Sequence, residues 1–95
     1  MPAYITVDFS PTDKEKLQEY GAAVPASLTK FSGEYLVKGP AEQLFGDTEF
    51  QMQVILTFPS RELALAWYHS PDYQTLVPLR NAAMRSEFRL VHSVQ

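Results

Sequence analysis

The run Phe58-Pro59-Ser60-Arg61-Glu62-Leu63-Ala64-Leu65-Ala66-Trp67-Tyr68-His69-Ser70-Pro71-Asp72-Tyr73-Gln74-Thr75-Leu76-Val77-Pro78-Leu79-Arg80 decides the fold. A strand closes at Phe58. Ser60 is placed to cap a helix, Glu62 suits the positive end of its dipole, and Leu63, Ala66 and Trp67 form its buried stripe. Pro71 ends that helix, because the residue before a proline is pushed out of helical geometry, while Ser70 can cap a new turn with Pro71 at its first position. Tyr73, Leu76, Val77, Arg80 and Met84 then continue at helical spacing, and Pro78 is expected to bend this piece. Strand, helix, break and a second helical piece with one arginine on its apolar side build one wall of a cavity.

The flanking segments follow the same logic. Ala3, Ile5, Val7 and Phe9 alternate with Tyr4, Thr6 and Asp8, the period of a strand with one apolar face. Thr12 and Glu15 have capping-box spacing. In the helix that follows, Leu17, Tyr20, Val24, Leu28 and Phe31 read as core packing, Pro25 is expected to kink or divide it, and Gly33 to end it in a left-handed conformation. Glu34 to Lys38 is a short strand and residues 39–49 a loop or loose hairpin around Gly46-Asp47. Phe50 to Phe58 alternates clearly, with Phe50, Met52, Val54, Leu56 and Phe58 on one face. Ser86 to Val94 alternates again, with Phe88, Leu90, His92 and Val94 in phase. The order predicts an α+β ferredoxin-like βαββαβ domain over residues 1–95, with helices on one face of a four-stranded antiparallel sheet.

Composition bounds the partners. A chain of 95 residues buries only about 60 to 65% of the surface its unfolded form exposes, so its core is modest and pairing is a common remedy. A net charge of -3 leaves no basic stripe for a phosphate backbone, which argues against nucleic acid. The absence of cysteine excludes a disulfide framework and a thiolate site. No N-terminal apolar run reaches the length of a signal peptide or membrane span, so a cytoplasmic protein away from membranes is expected.

Met1-Pro2-Ala3-Tyr4, Gly33-Glu34-Tyr35-Leu36-Val37-Lys38-Gly39, Phe58-Pro59-Ser60 and above all Trp67-Tyr68-His69-Ser70-Pro71-Asp72-Tyr73-Gln74 with Leu79-Arg80 resemble the family called domain of unknown function 1330. The resemblance spans nearly the whole chain. It implies the dimeric α/β-barrel superfamily, in which two ferredoxin-like sheets pack face to face, and therefore a homodimer. That superfamily includes cofactor-free monooxygenases, haem-degrading enzymes and muconolactone isomerases, so the resemblance implies a fold and a pocket and leaves the chemistry open. Ser32-Gly33 and Gly39-Pro40 stand where the family usually pairs glycines, and Thr48 where it often has tryptophan.

Six residues are candidates for a site. Arg80 follows mostly apolar neighbours, and an inward guanidinium needs an acceptor; it either snorkels from the core to water or to a carboxylate such as Asp8, or it binds an anion. Tyr73 can add a hydroxyl, Trp67 a flat wall, and Ser70 a restarted helix end, although Trp67 with Tyr68 is first a packing pair and Asp72 already occupies that positive helix end. Tyr4, on the face opposite the core phase with Thr6, Asp8, Gln51, Gln53 and Thr57, belongs either to a polar barrel interior or to a wet dimer interface. His92 is a general acid or base candidate or a satisfied rim residue, and His69 is favoured in its last helical turn by the dipole alone. The two histidines lack clustered carboxylates, so no metal site is expected and no haem, flavin or other cofactor is required.

These readings converge on a small dimeric α/β-barrel protein that binds a small acidic or planar organic molecule between sheet and helices, with cofactor-free catalysis open to it. Its rivals are a non-catalytic sensor or assembly module, and a monooxygenase or haem-degrading enzyme of the same superfamily, the last needing His69 or His92 as an axial ligand.

Overall fold

A computed structural model describes residues 1–94; Gln95, where the expected domain ends, lies outside the described residues. The elements run β1 (Ala3–Pro11), α1 (Lys14–Leu28), a short 3-10 turn (Thr29–Phe31), β2 (Glu34–Pro40), β3 (Met52–Phe58), α2 (Arg61–His69), α3 (Pro71–Gln74), α4 (Val77–Ala83) and β4 (Met84–His92). The strands form one antiparallel sheet in the order β2-β3-β1-β4. This is the α+β arrangement the alternation predicts.

The two-residue period of β1 sorts its side chains strictly: Ala3, Ile5, Val7 and Phe9 are buried and Tyr4, Thr6 and Asp8 only half-buried. The buried row joins Leu56 and Phe58 of β3, Tyr20, Val24 and Leu28 of α1, and Trp67 of α2 in one core. Helices therefore cover one face. The opposite face carries Tyr4, Thr6, Ile55 and Val91, aligned across the sheet by the pairs Thr6 with Ile55 and Tyr4 with Val91.

Several boundaries differ from the sequence reading for local physical reasons. Asp13, not Thr12, caps α1, accepting from the Lys16 amide at 3.0 Å; the Thr12 hydroxyl instead donates to the Ala82 carbonyl. A carboxylate there also suits the helix dipole. Pro25 lies inside α1 without dividing it. The left-handed residue after the helix is Ser32, at φ 58°, and Gly33 serves a different need: a Cβ on it would come within 2.5 Å of the Phe58 ring and 2.8 Å of Leu28. Pro78 falls in the first turn of α4, where its missing N–H costs nothing, so it starts that helix. In α2 the buried small residue is Ala64, and Ala66 is exposed. Met84 already belongs to β4.

Candidate functional site

Ser70 shapes the site by ending one helix and starting the next. Its hydroxyl donates to the Trp67 carbonyl at 2.7 Å and accepts from the Tyr73 amide at 3.1 Å, so α3 begins at a fixed angle and Tyr73 is driven inward. Its polar capacity is used in this double cap. Tyr73 is completely buried and lies against Trp67 with ring centroids 4.3 Å apart, and Tyr20, Tyr68 and Phe88 surround the pair.

The Tyr73 hydroxyl sits 2.7 Å from that of Tyr20. It also accepts from Nη1 of Arg80 at 3.2 Å, and the same guanidinium nitrogen donates to the Tyr68 hydroxyl at 3.0 Å. Arg80 is further held by the Phe88 ring, 4.8 Å from its guanidinium carbon, and by Asn81, whose Oδ1 accepts from Nε. Among the described residues no carboxylate pairs with it. Asp8 instead accepts from the Gln53 amide at 2.8 Å. A half-buried cation with phenols for partners is therefore short of negative charge.

Burial dominates the phenols' acid–base behaviour. It pushes Tyr73 above the ordinary phenol range, against the hydrogen bonds it shares with Tyr20 and Arg80, which hold it down. Tyr20 is pushed up further, by burial and then by Tyr73, and burial raises Tyr35 as well. For Arg80 burial acts to lower the pKa, but the hydrogen bonds to Tyr68 and Tyr73 outweigh it and the net shift is upward.

Two cavities flank this cluster. The first, of about 80 Å³, lies between α1 and the sheet; Val24, Val54, Leu56, Trp67, Met84 and Phe88 are among its apolar walls, with Tyr20 and Tyr35 beside them. Tyr35 and Lys38, its exposed wall residues, mark the mouth, beside the half-buried Gly21, on which a Cβ would meet nothing within 4 Å. Among the described residues no carboxylate lines it. The second is a wider cleft of about 500 Å³ bounded by Tyr68, Arg80, Asn81, Arg85 and Glu49, the last two paired with each other. Met84 and Phe88 belong to both walls.

Of the residues singled out in the sequence, Trp67 and Arg80 thus stand on different cavities, joined through the buried Tyr73. Tyr4 lies on the sheet face away from the helices, opposite Thr57 and Val91. His92 is exposed at the far end of β4, opposite Ala3, and lines neither cavity; His69 is exposed and packs edge-on to Tyr68. Sequence reasoning missed Tyr20, Gly21, Tyr35, Lys38 and the Tyr68 hydroxyl. Gly21 was the available signal, since a mid-helix glycine costs about 1 kcal/mol relative to alanine and needs a reason to be there.

The family model described as "Domain of unknown function (DUF1330)" matches residues 2–94. The chain belongs to that DUF1330 family. No curated protein matches it in sequence. Among solved structures, this DUF1330 chain is similar to a protein of unknown function from Rhodopseudomonas palustris, at TM-score 0.79 and 18% identity, covering 99% of this chain and 83% of that one. A dimeric ferredoxin-like protein of unknown function from Jannaschia sp. CCS1 matches at TM-score 0.76 and 16% identity, over 98% of this chain and 100% of that one. SnoaB, a cofactor-independent oxygenase from Streptomyces nogalater, matches at TM-score 0.70 and 13% identity, over 99% and 94%. At these identities the likeness establishes the ferredoxin-like fold. Among the described residues no helix is long and apolar enough to cross a membrane.

Proposed function

We propose that this DUF1330 protein binds a small planar molecule bearing an acidic group, with its ring in the cavity between α1 and the sheet and its charge towards Lys38. The observation that carries the reading is the aromatic, carboxylate-free cavity that opens where α1 has a glycine instead of a side chain. Apolar walls with a few placed polar groups are what small-molecule sites have in common. The domain works as one half of a homodimer, a reading supported by the dimeric ferredoxin-like neighbour and the mixed outer sheet face. SnoaB shares the fold and is a cofactor-independent oxygenase, which makes cofactor-free catalysis a reasonable extension here. The haem-degrading alternative is disfavoured, because neither histidine stands on a cavity wall.

Trp67, the single tryptophan, lines the cavity and reports its occupancy by fluorescence. Benzoate and 4-hydroxybenzoate should quench it in the wild type, and Gly21→Leu, which fills the mouth, should abolish quenching without lowering the melting temperature. Equal quenching in both proteins would sink the reading.

Arg80 supports a second reading, an anion site in the wider cleft, because its guanidinium lacks a carboxylate partner among the described residues. Small aliphatic carboxylates should then raise the melting temperature of the wild type, and Arg80→Lys and Arg80→Met should both lose that gain. Unchanged stabilisation in Arg80→Met would reduce Arg80 to a packing residue.

A further inference from the structure

The apolar cavity and the cationic cleft are connected by two phenols. Tyr20 lines the cavity, Arg80 lines the cleft, and Tyr73 lies buried between them with its one polar side-chain atom shared by both. Donor and acceptor roles in this chain follow from chemistry. A guanidinium only donates, so the Tyr73 oxygen accepts from Arg80. Either hydroxyl could donate across the pair, but Tyr73 is fully buried and among the described residues the Tyr20 oxygen is the acceptor bonded to its hydroxyl, so satisfying the buried proton makes Tyr73 the donor. Tyr20 then accepts from Tyr73, and among the described residues its own proton has no other acceptor. An uncommitted O–H on the wall of a largely apolar cavity, whose other polar side chains, Tyr35 and Lys38, stand at its mouth, calls for an acceptor atom on whatever enters.

We infer that Tyr20 is the polar anchor of the cavity, a hydrogen-bond donor to the carbonyl, enolate or phenolate oxygen of a single-ring molecule, with the charge of Arg80 relayed to it through Tyr73. The inference rests on the proposed occupancy of the cavity, and adds the residue that orients the occupant and the kind of atom it holds. Size limits the occupant: about 80 Å³ is roughly half the ~150 Å³ of an engineered void that holds benzene, so one ring enters in part and the remainder stays at the mouth. Charge selects the form bound. Lys38 stands at the mouth, Arg80 stands behind the phenols, and among the described residues no carboxylate lines the walls, so the anionic form of an ionisable oxygen is favoured over the neutral one. Burial keeps Tyr20 protonated well beyond neutral pH, as a donor to an anion must be.

The probe for this is 4-nitrophenol, whose phenol and phenolate differ in absorbance, titrated against pH with saturating protein while Trp67 fluorescence reports occupancy. The bound probe should ionise about one pH unit lower than in buffer, the shift of one charge-assisted hydrogen bond. Tyr20→Phe should retain quenching but lose most of that shift, and Tyr73→Phe and Arg80→Met should each lose part of it, a graded loss that a purely structural role would not give. Should Tyr20→Phe fail to fold, the Tyr73→Phe and Arg80→Met titrations carry the same comparison. A bound midpoint equal in wild type and all folded variants overturns the relay and leaves the cavity reading standing. Absence of quenching in the wild type overturns both.

Discussion

The indole N–H of Trp67 donates to the hydroxyl oxygen of Ser27 at 2.9 Å, so the tryptophan of α2 is fastened to α1 by its only polar atom. Both residues are buried, and the Ser27 hydroxyl in turn donates to the Val24 carbonyl at 2.6 Å. Removing the acceptor strands a buried donor. Ser27→Ala should therefore lower unfolding free energy by about 1–3 kcal/mol in urea titrations, with a shift in native tryptophan emission. A change below a few tenths of a kcal/mol would mean that water replaces the serine.

Two glycines should respond in opposite directions to the same substitution. Gly33→Ala places a methyl group against the Phe58 ring and Leu28 in a packed core, and should cost about 1–3 kcal/mol. Gly21→Ala adds a methyl group in open space on a helix, and should gain about 0.5–1 kcal/mol. Thermal melts of the two variants beside wild type check both signs at once.

Ile55 stands on the sheet face away from the helices, with Thr6 on one neighbouring strand and Val37 on the other. If this face meets a second copy, Ile55→Asp places a carboxylate in a desolvated contact and should weaken dimerisation by at least tenfold. Light scattering over a dilution series reads the effect; a wild type that is monomeric at micromolar concentration would remove the dimer from the proposal.

The buried phenols give the fold a defined sensitivity to alkali. Tyr20, Tyr73 and Tyr35 have folded pKa values above the ordinary phenol value of about 10, so the folded state holds protons that the unfolded chain releases. Their contribution is fully present below pH 10 and is lost as the pH rises above it. Chemical unfolding at pH 9, 10 and 11 should show stability falling, with a shallower fall in Tyr20→Phe.

Much of this architecture was legible because strand periodicity is a strong signal. The alternation of Ala3 to Phe9 names its buried residues directly; that of Phe50 to Phe58 names Leu56 and Phe58, although the strand starts only at Met52 and Met52 and Val54 are half-buried, and Ser70-Pro71 marks the helix restart that the hydroxyl of Ser70 enforces. What was not legible depended on approach in space. Whether Gly33 turns the chain or admits Phe58 is invisible without knowing that β3 passes over it. The contact of Tyr20 with Tyr73 joins residues 53 positions apart, and a helical stripe reads the same whether its tyrosine only packs or also bonds. Arg80 was recognisable as an inward cation, but its partners could not be named, because its two phenolic acceptors come from α2 and α3 and their meeting depends on the angle at Ser70.

The place of β1 in the sheet has a consequence in time. It pairs with β3 on one side and β4 on the other, so Ala3 faces His92 across the ladder and Pro11 faces Met84. Of these four strands the first to be synthesised thus waits for the last before its second row of backbone hydrogen bonds can close. Contacts so distant along the chain make for slow folding relative to a helical bundle of equal size. Until β4 arrives, the apolar row from Ala3 to Phe9 lacks one of its two neighbouring strands, and that interval is when the nascent chain is most open to aggregation.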